Sequence, residues 1–265
     1  MRILFLILLL LSSFVGKVEA VDYTQDANVA RAWLFSEGSG TNVDDASASA
    51  QDLSFKGAGE PAWEAMAGTD APAYADYAAN YDGTTDYTYN ANRVFTAASA
   101  RSAVMWGYVV NPQPGTYAGR LISERSNTGW YFGVGTNNVV RLFHTGTTSL
   151  SVVSATNAFA VNEWEHLSFS WDGSTTAANV DIYVNGVEVS YATQTNGATL
   201  SNADGLGTYV SKEAATVATG TYCDFTQSET AIFTDVLTPA EINDIMDNGL
   251  VGSVTTRGQI IFFYD

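Results

Sequence analysis

The chain has 265 residues, with 28 Asp or Glu against 11 Lys or Arg, for a formal net charge of −17 at pH 7. So negative a surface repels phosphate backbones and anionic headgroups. Nucleic acid and direct membrane binding are therefore excluded as expected partners, and sulfated or uronic-acid glycans are disfavoured unless a cation bridges them.

The chain opens with Arg2, an apolar run over residues 3–11, then Ser12 and Ser13, with small residues Val18 and Ala20 beyond. A run that short does not cross a bilayer comfortably, and its flanks predict a secretory signal peptide over residues 1–20. The protein is expected to be secreted and extracellular, with one large domain over 21–250 and a C-terminal extension over 251–265. Cys223 is the single cysteine, which leaves no internal disulfide and reads as a small buried hydrophobe.

Past the leader, helical periodicity is scarce and short alternating runs are frequent, separated by Gly, Asn, Asp, Ser and Thr. Residues 57–80, rich in Ala and Gly, read as irregular loops. Residues 102–110 alternate Val104, Trp106, Tyr108 and Val110 against smaller side chains. Residues 129–135 and 139–144 read as strands joined by Thr136, Asn137 and Asn138, with another strand at 150–154. The clearest hairpin spans 180–189, where Val180, Ile182 and Val184 share a face and Asn185-Gly186 offers the positive-φ pair of a type I′ turn. One helix is predicted: Thr238 caps it, Pro239 opens it, Glu241 completes a capping box, and Gly249 ends it. Ile242, Ile245 and Met246 form its apolar stripe, expected to lie as a lid over one end of the core. The tail 258–265 has the content of a last strand, or of a docking strand for a partner. These elements predict an all-β fold, a two-sheet antiparallel sandwich with one short C-terminal helix.

Six segments in this order resemble a laminin-G-like domain of the concanavalin A-like lectin/glucanase superfamily, over roughly residues 29–250. They are ARAWLFSEGSGTNVDDAS, NYDGTTDYTY, SAVMWGYV, NEWEHLSFSWDG, DIYVNGVEV and ETAIFTDVLTPAEI. The resemblance implies a jelly roll that binds carbohydrate or protein ligands, sometimes with a structural Ca2+. Asp45 matches the family's ligand position after the Gly-Ser-Gly-Thr turn. The family's Asp-Glu near the last strand is Ser228-Glu229 here, a departure that weakens the match. Asp82 and Asp86, in YDGTTD, are further oxygen donors, since calcium takes carboxylates from loops.

EWEHLSFSWDG, residues 163–173, poses the question of catalysis. Glu163 and Glu165 lie two apart on a strand, roughly 6.5–7 Å at the backbone, near the spacing of glycosidase carboxylate pairs. Trp164 stands between them, however, and Leu167, Phe169 and Trp171 share their parity. A straight strand would bury both carboxylates without partners, at several kcal/mol each. A bend near Glu165 or His166, leaving both at a solvated strand start, is the expectation. His144 and His166 are the only histidines, and no nucleophile motif, phosphate loop or zinc spacing accompanies them.

The expected function is a secreted, non-catalytic module that binds a glycan or a surface protein through its loops. The alternatives are a structural or adhesive component of an extracellular or virion assembly and a glucanase-like hydrolase. Tyr87, Tyr89, Trp130 and Tyr191, near loops or strand ends, are the candidate ligand contacts; Asp45, Asp82 and Asp86 are the candidate metal ligands.

Overall fold

The structure, a computed structural model, describes residues 20–66, 71–112, 119–202, 206–213 and 221–252. The expected signal peptide, but for Ala20, and most of the expected C-terminal extension lie outside the described residues. Two large antiparallel sheets face each other. The first runs, side by side, Val187–Glu188, Val180–Val184, Trp164–Trp171, Arg101–Asn111, Asp224–Phe233, Tyr77–Asp82 and Ala62–Ala65, and Val29–Trp33 also pairs with Asp224–Phe233. The second runs Tyr191–Thr195, Leu150–Ser154, Val139–His144, Gly129–Gly135, Gly119–Arg125, Thr208–Val210, Tyr87–Asn90, Leu53–Lys56 and Asn42–Val43. A two-stranded ribbon joins Gly146–Thr148 to Ala198–Leu200.

Strand alternation assigns each side chain to a layer. Leu167, Phe169 and Trp171 meet Trp130, Phe132, Leu142 and Val152 in the interior between the sheets, where Cys223 is also buried. On the first sheet's other face, Val104, Tyr183, Ala231 and Phe233 pack under Leu237 and under Ile242 and Ile245 of the helix Pro239–Asn248 that follows it. Trp164–Trp171 is buried along its whole length because both its faces are covered.

The local chemistry of the helix and hairpin follows their sequences. Thr238 accepts from the Glu241 N–H while the Glu241 carboxylate accepts from the Thr238 N–H, and Gly249 leaves the helix at φ 76°. Asn185 and Gly186 turn the hairpin at φ 48° and 71°. Two expectations are corrected. The helix does not close an end of the core; it lies flat on the first sheet, because Phe233 and Val104 offer its stripe a broader apolar surface. Residues 57–80 are not all loop, since Ala62–Ala65 and the start of Tyr77–Asp82 pair across main-chain hydrogen bonds that need no bulky side chains.

A buried carboxylate sits inside the sandwich. Glu124, 4% exposed, projects inward from the second sheet. Its carboxylate accepts from the Val94 N–H at 2.5 Å, the Phe95 N–H at 3.2 Å, the Trp130 indole at 3.0 Å and the Thr208 hydroxyl at 2.8 Å. Arg101, fully buried on the facing sheet, lies over the rings of Phe95, Trp171 and Trp130 and donates to the carbonyls of Ser99 and Ala97. Burial pulls its guanidinium down to about 9, and the Glu124 charge opposes that shift. Glu124→Ala would orphan four donors and leave a buried cation without its nearest anion. It is expected to lower unfolding free energy by about 3–5 kcal/mol in guanidinium chloride titrations, with Glu124→Gln costing less.

Candidate ligand-binding face

The outward face of the second sheet carries a row of rings. Cross-strand register places Ser54, Tyr89, Tyr209, Ser123, Tyr131, Phe143, Ser151 and Thr195 in one line, one residue from each of eight adjacent strands. Tyr89 meets Tyr209 at 4.7 Å between centroids, Tyr87 stacks on Tyr209 at 6.1 Å, and Tyr131 stacks on Phe143 at 5.2 Å. Tyr209 is buried under its neighbours, which pushes its phenol up to about 12, while Tyr87 and Tyr89 remain partly exposed.

Cations lie on these rings. Lys212 Nζ stands 4.3 Å from the Tyr87 ring centre and 5.4 Å from that of Tyr222. The Arg120 guanidinium covers Tyr131 at 3.4 Å, and Arg141 and Arg125 lie over Phe143 at 4.8 and 5.2 Å. Glu213, itself buried, forms ion pairs with Arg120, which is buried with it, and with Arg125, which is partly exposed. Flat apolar rings framed by polar donors suit a ligand with alternating C–H and hydroxyl faces, which stacks while its hydroxyls bond at the rim.

The four candidate aromatics separate. Tyr87 and Tyr89 share this face with Tyr209, Lys212 and Tyr222, which sequence reading did not single out. Trp130 does not belong to it. Its ring is fully buried between Phe95 and Phe169, because Trp130 and Tyr131 sit on opposite sides of one strand. Tyr191 lies on the far edge strand, where its hydroxyl donates to Glu188 and accepts the Ile182 N–H, tying the two sheets.

The glutamate pair is not a pair. Glu163 is exposed and precedes the strand, while Glu165 is 5% exposed and inside it. The expectation of a bend that solvates both is corrected: Glu165 is buried but satisfied, accepting from the Ala160 N–H at 2.8 Å and from the Asn185 amide. Asn185 in turn accepts the His166 N–H at 2.8 Å, so the carboxylate holds the hairpin turn. Burial pulls His166 down to about 3 and His144 to about 4, which keeps both rings neutral inside the fold.

Nor do the three aspartates converge. Asp45 accepts the Ala32 and Ser47 N–H groups on one oxygen, and the Ser49 hydroxyl and Gln51 N–H on the other. Asp82 accepts the Thr84, Thr85 and Asp86 N–H groups and both threonine hydroxyls, which hold its carboxyl well below the usual range. Asp86 accepts from Thr85, and burial pushes its carboxyl up. Oxygens saturated by their own loops do not fit calcium ligation, and among the described residues no group of three or more His, Cys, Asp or Glu side chains could hold a metal.

Glu229 also stands apart. Its carboxylate accepts the Leu250 N–H at 3.2 Å beyond the helix C-terminus, no basic side chain pairs with it among the described residues, and burial pushes it up to about 7.

A laminin-G family model, described as the concanavalin A-like lectin/glucanases superfamily, matches residues 82–243. No curated protein sequence matches. Among solved structures, the binding domain of Paraclostridial Mosquitocidal Protein 1 superposes with a TM-score of 0.58 at 11% identity, over 83% of this chain and 52% of that one. The binding domain of botulinum neurotoxin DC, solved with rat synaptotagmin II, gives 0.57 at 13% over 83% and 51%. Domain 4 of AbnA, an extracellular arabinanase of Geobacillus stearothermophilus solved with arabinotriose, gives 0.56 at 16% identity over 84% and 100%. The chain spans about half the length of the toxin domains it matches, and at these identities the likeness is one of fold.

Two outcomes test the carboxylates. Melting temperature is expected to be the same in EDTA and in millimolar calcium, and a calcium-dependent rise would show a site that the saturated oxygens of Asp45 and Asp82 do not provide. For Glu229, the folded state binds more protons than the unfolded one between the ordinary value of 4.5 and about 7. The stability it contributes is complete below the lower value and lost as pH rises through the upper one. Glu229→Gln keeps an oxygen for Leu250, and is expected to melt higher than wild type at about pH 8 and to show a flatter profile down to about pH 5.

Proposed function

We propose, for a chain that belongs to the concanavalin A-like lectin/glucanases superfamily, that it is an exported, non-catalytic glycan-binding module. Its working surface is the outward face of the second sheet, and not the loops at one edge. The observation that carries this reading is the partly exposed pair Tyr87 and Tyr89, fixed by stacking on buried Tyr209 and flanked by Lys212. Rings locked by their neighbours lose little entropy when a sugar stacks on them. The apolar run at residues 3–11 supports export. The arabinotriose held by AbnA domain 4 supports a saccharide as one ligand class that this fold takes. Catalysis has no support in the geometry of Glu163 and Glu165, whose environments diverge, and recognition through stacking and hydroxyl donors needs no calcium.

A glycan array followed by calorimetry on the best binder tests this. Tyr87→Ala and Tyr89→Ala are each expected to weaken binding about five- to tenfold, roughly 1 kcal/mol or more of ring contact. Tyr87→Phe keeps the ring and is expected to bind within about twofold of wild type. A folded protein that binds no saccharide, or whose binding ignores Tyr87 and Tyr89, overturns the assignment.

A further inference from the structure

Charge on this molecule is sorted by face. The described residues contain eight basic side chains: Arg31, Lys56, Arg93, Arg101, Arg120, Arg125, Arg141 and Lys212. Arg101 is sealed in the core and Arg31 is buried against Ser49. Five of the eight lie on the outward face of the second sheet. Lys56 is paired with Tyr87 in register, Lys212 stands over Tyr87, and Arg120, Arg125 and Arg141 lie over Tyr131 and Phe143. No outward position of that sheet's described strands holds an acidic residue, since Glu124 points inward. Glu213, buried together with Arg120, is held by two of the arginines. In a chain of net charge −17, chance does not readily collect five cations and one anion on a single aromatic surface.

From this we infer that the ligand is an acidic saccharide, one whose sugar units carry carboxylates; the inference rests on the glycan-binding reading of the same face. Two features argue for it; the Arg120–Glu213 ion pair is not one of them, since both side chains are only 1% exposed. Arg141 and Lys212 form no ion pair among the described residues: Arg141 donates only to Ser151 Oγ at 3.0 Å, with its Nε unpartnered, and Lys212 has ring faces alone around it. A cation on an aromatic face remains available to an anion arriving from solvent, while the neighbouring, partly exposed Tyr89 stacks the sugar to which that anion is attached. Lastly, the strands of Tyr87 and Arg141 are four strand spacings apart, roughly 19 Å, which suits an oligomer and exceeds a single sugar.

The sequence-level expectation that uronic-acid glycans are disfavoured without a bridging cation follows from net charge. Net charge sets the far field; a ligand within about 8 Å meets local charges, since more distant ones are screened at physiological salt.

The test compares an oligogalacturonate with the same oligomer after its carboxyl groups are reduced to alcohols, by calorimetry on the purified full chain with EDTA present. The acidic oligomer is expected to bind about tenfold or more tightly, the scale of one or two charge-assisted hydrogen bonds. That preference is expected to collapse at about 1 M salt, where the screening length falls to roughly 3 Å. Arg141→Gln combined with Lys212→Gln is expected to bring the acidic oligomer down towards the reduced one, with an unchanged melting temperature showing that the fold is intact. Equal affinity for both oligomers overturns the acidic assignment and leaves glycan binding standing. Failure of both, together with an empty glycan array, overturns glycan binding too. Equal or tighter binding of a sulfated oligomer or a single-stranded oligonucleotide would reveal a general polyanion surface and also overturn it.

Discussion

A carboxylate in the dry interior decides how the two sheets meet. Glu124 has donors from the 94–95 segment, from the neighbouring strand on one side through Trp130 and from the neighbouring strand on the other side through Thr208, and Arg101 lies on the facing sheet. A group that would cost several kcal/mol if unpaired is tolerable only in one register, the register that brings all four donors to it. Apolar packing alone accepts several neighbouring arrangements. This polar cluster accepts one, and the direction of every other side chain on those strands follows from it. With Glu124 and Trp130 turned inward, Ser123, Arg125 and Tyr131 must turn out.

The two outward faces then have opposite fates. That of the first sheet is roofed by the capped helix and by the cluster of Trp106, Trp164 and Tyr74, in which the Trp106 indole donates to the Tyr74 hydroxyl at 2.6 Å. That roof converts Trp164–Trp171 and Asp224–Phe233 into strands covered on both sides, and it consumes the helix that might otherwise have framed a site. Among the described residues no helix lies over the second sheet. Rings, hydroxyls and cations line its outward side, Tyr131 and Arg120 closed off and Tyr87, Tyr89 and Arg141 partly exposed, and their rigidity derives from the sheet beneath. A binding surface on strands holds its geometry better than one on loops, which favours stacking over an adaptive fit.

Local chemistry was legible in the amino-acid order, and direction was not. The Asn185-Gly186 turn and the Thr238–Glu241 capping box depend on side chains a few residues apart, so the sequence contains all their partners. Trp130 and Tyr131 illustrate the opposite case. GWYFGVG admits either ring to the core, because a shift of one residue exchanges the faces of a strand, and Glu124, which bonds the Trp130 indole, is itself turned inward by donors at Val94, Phe95 and Thr208, distant in the chain. Tyr209 and Lys212 escaped notice for a related reason: each matters through Tyr87 and Tyr89, more than a hundred positions away. Residues 57–80 hid strands because Ala and Gly form ladders without announcing them by bulk. Asp45 and Asp82 looked like metal ligands because a loop aspartate bonding its own backbone and one bonding calcium occur in the same composition.

On the acidic-saccharide proposal, the acidity of the chain acquires a purpose once it is resolved by face. Carboxylates on the other surfaces would repel an acidic polymer except where the cations stand, so a long polyanion would be steered to one sheet and kept from wrapping the rest. A uniformly basic protein would hold such a polymer more tightly but in no particular orientation. Rejection by most of the molecule and acceptance by one aromatic face give orientation, and orientation is what allows Tyr87 and Tyr89 to meet sugar rings flat. The interior tie through Glu124 sets this arrangement as well, because a register that turned Tyr131 inward would also turn Arg125 inward and Trp130 outward.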